Sequence, residues 1–189
     1  MTSTTDVPTL EQYRAAYCSR RFLATPLSGL ICWTGVGVGS MFLNANQSFL
    51  LLFIATGSIV YLAMLISKVT GETFFQKSKN PFDRLFFAGL LMSLLVYAIA
   101  IPFAVADHRS STLSVGILTG LMWIPFSWIL QHWVGYFHAI CRTVLILVAW
   151  YAFPGRHFQV IPAIVVALYI ITIVVLERRW RRERMKRVA

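Results

Sequence analysis

Six apolar blocks divide this chain, at about residues 27–43, 48–66, 85–106, 113–130, 133–153 and 160–176. An α-helix rises about 1.5 Å per residue, so blocks of roughly 17 to 22 residues suit a hydrocarbon layer about 30 Å thick. A membrane β-barrel would instead show shorter segments that alternate polar and apolar positions. The pattern therefore predicts an all-α membrane protein: a six-transmembrane-helix bundle over residues 26–176, preceded by a polar segment 1–25 and followed by a basic tail 177–189.

Polar and small residues refine this outline. Residues 1–25 have no apolar core behind a basic start and no small-residue cleavage site, so they do not read as a signal peptide. Thr9 and Gln12 have capping-box spacing, and Leu10, Tyr13 and Tyr17 share one helical face, which predicts an amphipathic helix from Thr9 to Phe22 at the membrane surface. The run GVGVGS at residues 35–40 lies inside the first span with no strand before it, so it is not a dinucleotide-binding loop. Gly35 with Gly39, and Gly116 with Gly120, are small-xxx-small pairs that permit close helix contact. Pro102 and Pro125 predict kinks in the third and fourth spans.

Charge then orients the bundle. Hydrophobic residues make up 58% of the chain and charged ones only 13%, yet the formal net charge is +10, so the basic residues must concentrate in a few places. On one side of six spans lie three Lys or Arg in the N-terminal segment, four in the 68–84 loop and seven in the tail. On the other lie Arg109 and Arg156 alone. By the positive-inside rule both termini are cytosolic. The short turn at Gln131 and His132 shares that side, although it carries no Lys or Arg. In the tail, Arg178, Arg179, Trp180, Arg181 and Arg182 are suited to anionic lipid headgroups, with the tryptophan as interfacial anchor. A nucleic-acid partner needs more than charge and is not expected.

The segments ISK (Ile66–Lys68), NP (Asn80, Pro81), LTGLMWIPFSWIL (Leu118–Leu130) and IPAIVVALYIIT (Ile161–Thr172) resemble a family of small bacterial membrane proteins known only as a domain of unknown function. The resemblance covers most of the chain from the first span onward. It implies a compact multi-pass bundle in the bacterial inner membrane and supplies no activity, cofactor or catalytic residue. In that family the fourth span often carries a histidine where this chain has Met122, so no shared ionisable site is expected there.

Candidate chemistry centres on Arg142, the one charge placed deep inside an apolar block. Gln131, Gly135, His138 and Arg142 step by four, three and four residues and so form one polar stripe along the fifth helix. An unpaired arginine at such depth costs from about 2.5 to over 10 kcal/mol. No Asp or Glu lies within any of the six blocks. Its partners are then water, backbone carbonyls, hydroxyls such as Ser58, Tyr61, Ser93, Tyr97, Tyr169 or Thr172, or an anion from outside the chain. Snorkelling to the headgroups is the structural alternative.

These features predict a protein that binds or translocates a small anionic or amphiphilic solute through a cavity around Arg142, His138, Gln131, Tyr97, Ser93 and Tyr61. The alternative is a non-enzymatic membrane subunit that works through its glycine faces, as a homo-oligomer or with a partner. An enzyme is not expected, since no acids, histidines or nucleophiles gather at one interface. Cys18, Cys32 and Cys141 are widely separated and the histidines fall on different sides, so neither a metal site nor a cofactor is expected.

Overall fold

Three of the helices start on a capping side chain, after Thr9, Asn44 and Asn80. In the computed structural model, which describes residues 8–72 and 80–188, every regular element is helical. Helix α1 (Leu10–Cys18) opens on the expected box: Thr9 Oγ1 accepts from the Gln12 N–H at 3.3 Å, and Gln12 Oε1 accepts from the Thr9 N–H at 2.7 Å. The helix stops at Cys18, short of the predicted Phe22. Tyr17 is buried and Tyr13 half-buried, whereas Leu10 is exposed.

Helix α2 (Ala24–Gly39) has no capping side chain of its own at its start. Glu72, just beyond α3 (Ala45–Thr70), supplies one, accepting from the Leu23 and Ala24 N–H groups at 3.1 Å each. Burial nonetheless pushes the Glu72 carboxyl above its ordinary range, against the lowering effect of those bonds. The α2–α3 hairpin is thus closed at both ends, because Asn44 and Gln47 form a second capping box at the opposite turn. Gly71 ends α3 at φ 71°, a left-handed position that glycine adopts without strain. Asn80 and Pro81 then start α4 (Pro81–Leu95). Lys77 and Lys79 of the predicted basic loop lie outside the described residues.

Two predicted spans are broken. The third is α4 followed by α5 (Tyr97–Ala106), with the break at Val96, ahead of Pro102. The fourth is α6 (Ser110–Leu118), a 3₁₀ turn (Thr119–Met122) and α7 (Trp123–Leu130). Pro125 has no N–H to bond back to Leu121, which disfavours α-spacing just before it. Helix α8 (Val134–Ala152) follows after a corner at Gln131, and α9 (His157–Val188) runs on without interruption into the basic tail.

Among the described residues, five stretches are long and apolar enough to cross a membrane: Ala45–Thr70, Pro81–Ala106, Ser110–Leu130, Val134–Ala152 and His157–Lys186. Helix α2, at 16 residues, extends only about 24 Å. It lies against α3 and α9 and contributes Trp33 and Val36 to the core, beside Leu52, Val115, Ile129, Ile146, Ile161 and Val165. By contrast α3 and α4–α5 are peripheral: Ile54, Leu65, Leu95 and Phe103 project outward, the surface a helix presents to lipid.

The N-terminal segment is tied to the far end of α9. Arg21 pairs with Glu177 at 2.9 Å, Arg179 donates to the Cys18 carbonyl at 3.2 Å, and Arg20 meets Asp83 at 2.6 Å. These contacts bring Arg20, Arg21 and Arg179 to one end of the bundle.

Candidate functional site

The polar centre is built where α8 crosses the broken fourth element. His138 and Arg142 are four residues apart on α8, so both face inward, and both are buried, Arg142 being only 1% exposed. Glycines make the approach possible. A Cβ on Gly120 would stand 2.7 Å from Arg142 Cδ, and one on Gly135 would strike the Trp123 carbonyl. A Cβ on Gly116 would meet Ile146 at 2.9 Å.

The helix break supplies the acceptors. Gly116 lies in the last turn of α6, and Thr119 opens the 3₁₀ turn that follows it. Arg142 Nε donates to the Gly116 carbonyl at 2.6 Å, and Nη2 donates to Thr119 Oγ1 at 3.1 Å. The remaining nitrogen, Nη1, reaches only His138 Nε2 and Tyr169 Oη, each at 3.5 Å. That is the outer limit of a hydrogen bond. Trp33 and Tyr169 cover the guanidinium, with their ring centroids 5.2 and 5.8 Å from Cζ.

The tautomer of His138 follows from its neighbour. Thr172 Oγ1 gives its single proton to the Leu168 carbonyl at 2.8 Å, so toward His138 Nδ1, 2.9 Å away, it can only accept. Nδ1 therefore carries the hydrogen. In the neutral ring Nε2, facing Arg142, is then an acceptor. Trp123 packs on the same imidazole at 4.6 Å between ring centroids, and Tyr169 at 4.9 Å.

Among the described residues no carboxylate lies within ion-pair distance of Arg142. A guanidinium has five N–H groups, and here only two short acceptors meet them. The indole Nε1–H of Trp33, fully buried beneath the cation, has no acceptor at all. The centre thus has one positive charge and more donors than acceptors.

A cleft of about 530 Å³ lies between the N-terminal segment, the end of α3 and the start of α4, with Arg20, Arg21, Glu72 and Arg184 on its walls. It shares Phe22, Thr25 and Phe86 with an apolar crevice of about 10 Å³ that ends on Trp123. A crevice of that size admits about one water molecule.

Of the residues the sequence singled out, the structure brings together Arg142 and His138, with Tyr169 and Thr172 from the wider set of hydroxyls. Tyr97 instead donates to Thr56 at 2.7 Å, and Ser93 donates to the Gly89 carbonyl at 3.1 Å. Ser58 turns back to the Ala55 carbonyl, and Tyr61 is 71% exposed on the outer face of α3. Gln131 sits exposed at the α7–α8 corner, with its side chain on the Trp128 carbonyl. Of the glycines, Gly39 meets Leu51, while Gly116 and Gly120 receive Ile146 and Arg142 of the same chain and are closed to a partner helix. Gly35 faces open space. Thr119, Trp33 and Trp123 were missed. The signal for Thr119 was present: a glycine pair beside a buried arginine marks where its stem lies against backbone.

The chain belongs to DUF7010, a family of unknown function whose model matches residues 11–179. That match takes in all of the residues around Arg142. No curated protein and no solved structure matches the chain.

Proposed function

We propose that this DUF7010 protein is a six-span bundle of the bacterial inner membrane, its termini cytosolic, that binds a small anionic or amphiphilic solute at the Arg142–His138 centre. The observation that carries this reading is the excess of donors there. Arg142 Nη1 has only two contacts at 3.5 Å, and Trp33 Nε1 has none, in a core without a carboxylate partner. A buried donor left unpaired costs about 1–3 kcal/mol, and a buried unpaired charge costs more. An anion supplies both the acceptors and the opposite charge. The crevice that ends on Trp123 lends the route a cytosolic direction, and movement of Trp123 off His138 would open it. Helix α2 completes the six crossings because it lies along α3 and α9, though it is the shortest of them. The role is one of binding rather than catalysis.

The reading is tested by thermal unfolding of the purified protein across a panel of anions, chloride, inorganic phosphate, acetate and decyl sulfate. A ligand that binds only the folded state raises stability by about 2.7 kcal/mol at 100 times its Kd. The expected result is stabilisation by at least one anion, reduced in Arg142→Gln and in Trp33→Phe. Trp33→Phe keeps an aromatic face over the guanidinium but removes the unpaired N–H, so it separates ligand binding from packing. Equal anion responses in wild type and both variants would overturn the assignment.

The subunit reading is supported by one observation. Gly35 opens outward on α2, and its missing Cβ leaves a notch where a helix of another molecule fits.

A further inference from the structure

A second site lies at the membrane boundary, on a different face of the bundle. The α7–α8 corner and the end of α9 enclose a groove of about 590 Å³. Arg178, Arg182 and Lys186 line one wall at four-residue spacing, hence on one helical face, with Glu183 among them and Gln131 and Trp133 on the corner side. Among the described residues, Arg178 and Arg182 have no carboxylate within ion-pair distance, and Lys186 holds Glu183 at 3.3 Å in an exposed pair. Elsewhere in the tail Arg181 pairs with Glu177 at 3.0 Å and Arg184 lies over Trp180 at 5.4 Å, while Arg179, which also lines the groove, donates to the Cys18 carbonyl. Arg178 and Arg182, both without a carboxylate, thus line the groove.

The groove is graded along its length. Leu130, Trp133 and Val175 line its inner part and the cations its outer part. Beyond the inner end, the outward faces of α8 and α9 are apolar at Ile140, Ile171 and Val174. Trp128 and Trp133 stand exposed at the corner, the level at which tryptophan marks the headgroup layer. The corner wall is also firmly built. Ser127 Oγ donates to the His132 carbonyl, Tyr136 N–H donates to Ser127 Oγ at 3.2 Å, and the His132 ring stacks on Trp133.

We propose that this groove binds the phosphodiester headgroup of an anionic phospholipid from the surrounding leaflet. Arg178 and Arg182 take the phosphate, Lys186 reaches the outer oxygens, and the glycerol end lies over Leu130, Trp133 and Val175. A free phosphate would use only the cations. The gradation from basic to apolar is what selects a lipid.

The test is native mass spectrometry of the full chain in detergent, titrated with phosphatidylglycerol and, separately, with phosphatidylcholine. One phosphatidylglycerol should be retained at concentrations where phosphatidylcholine is not. The double variant R178Q/R182Q should weaken that binding roughly 30-fold, two charges' worth at the leaflet surface. R181Q/R184Q removes the same charge from the other face and should change it less than 3-fold. Three results would overturn the assignment: equal loss in both double variants, displacement of the lipid by inorganic phosphate at equimolar level, or tighter binding of a short oligonucleotide than of phosphatidylglycerol.

Discussion

Placing one methyl group on Gly120 probes the centre directly. The new Cβ would stand 2.7 Å from Arg142 Cδ, 3.0 Å from Nε and 3.5 Å from Cζ. Carbon atoms pack best at about 3.5–4.0 Å, so the arginine stem must retreat by about 0.8 Å. Retreat presses the guanidinium toward Trp33, whose ring centroid is 5.2 Å from Cζ, and stretches the 2.6 Å bond from Nε to the Gly116 carbonyl. Overpacking costs about 1–3 kcal/mol. The intrinsic gain of alanine over glycine in a helix, about 0.8–1 kcal/mol, is smaller here because Gly120 lies in a 3₁₀ turn. Gly120→Ala should therefore destabilise by about 1–3 kcal/mol. Gly35→Ala, where nothing lies within 4 Å, should stabilise by about 0.8 kcal/mol. Reversible unfolding in mixed micelles, followed by far-UV circular dichroism, measures both. A double-mutant cycle completes the test, since in an Arg142→Ala background the clash disappears and Gly120→Ala should become neutral or favourable. The same cost in both backgrounds would refute the packing described for Arg142.

Three further outcomes follow from the structure. Arg142→Lys keeps the charge but loses the geometry that reaches Gly116 and Thr119 together, and should cost about 2–4 kcal/mol in the same unfolding assay. Gln131 is the one described non-glycine residue at positive φ, 51°, so Gln131→Gly should stabilise by about 0.5–1 kcal/mol despite the loss of an exposed side-chain bond. Burial raises the Glu72 carboxyl above its ordinary value near 4.5, so the folded state holds that proton more tightly than the unfolded state. Its contribution is fully present below that ordinary value and is lost as pH rises through the raised one. Unfolding midpoints of wild type should thus fall relative to Glu72→Gln as pH is taken upward from 4.5, and a constant difference would exclude the effect.

The fold was legible where apolar length decides the outcome, and only in part where local caps do. The box at Thr9 depends on residues three positions apart and was read, whereas the equally local starts at Asn44 and Asn80–Pro81 were not, the spans being expected from 48 and 85. Breaks were harder to place. Pro102 and Pro125 announce weakened helix, but the interruptions fall at Val96 and at Thr119–Met122, ahead of each proline. At Pro125 the missing N–H releases the Leu121 carbonyl, inside the 3₁₀ turn, whereas the break at Val96 lies six residues before Pro102 and is not explained that way. Periodicity also cannot distinguish the inner face of a helix from the outer when both are apolar. Tyr61 and Ser93 looked equivalent for that reason, yet one is exposed on the rim and the other is closed onto its own helix.

The centre was half legible for a related reason. Helical spacing on α8 was enough to pair His138 with Arg142, and the absence of any acid in the apolar blocks was enough to show that the arginine needs an unusual set of partners. Which partners depends on contacts between α6, the 3₁₀ turn and α9 that no local pattern encodes. The glycine pair is the instructive case. Gly116 and Gly120 were expected to permit close helix contact, and the helix they face is α8 of the same chain: Gly116 receives Ile146, and Gly120 receives the stem of Arg142, which reaches the Gly116 carbonyl. The arrangement satisfies two of the arginine's bonds and leaves Nη1 and Trp33 Nε1 short of acceptors. A site meant only to hold the helices together would show the same response to anions with Phe in place of Trp33, whatever the substitution costs in packing. If anion-dependent stability does fall in Trp33→Phe, the unpaired indole is there for a ligand and the donor excess is a functional property of the core.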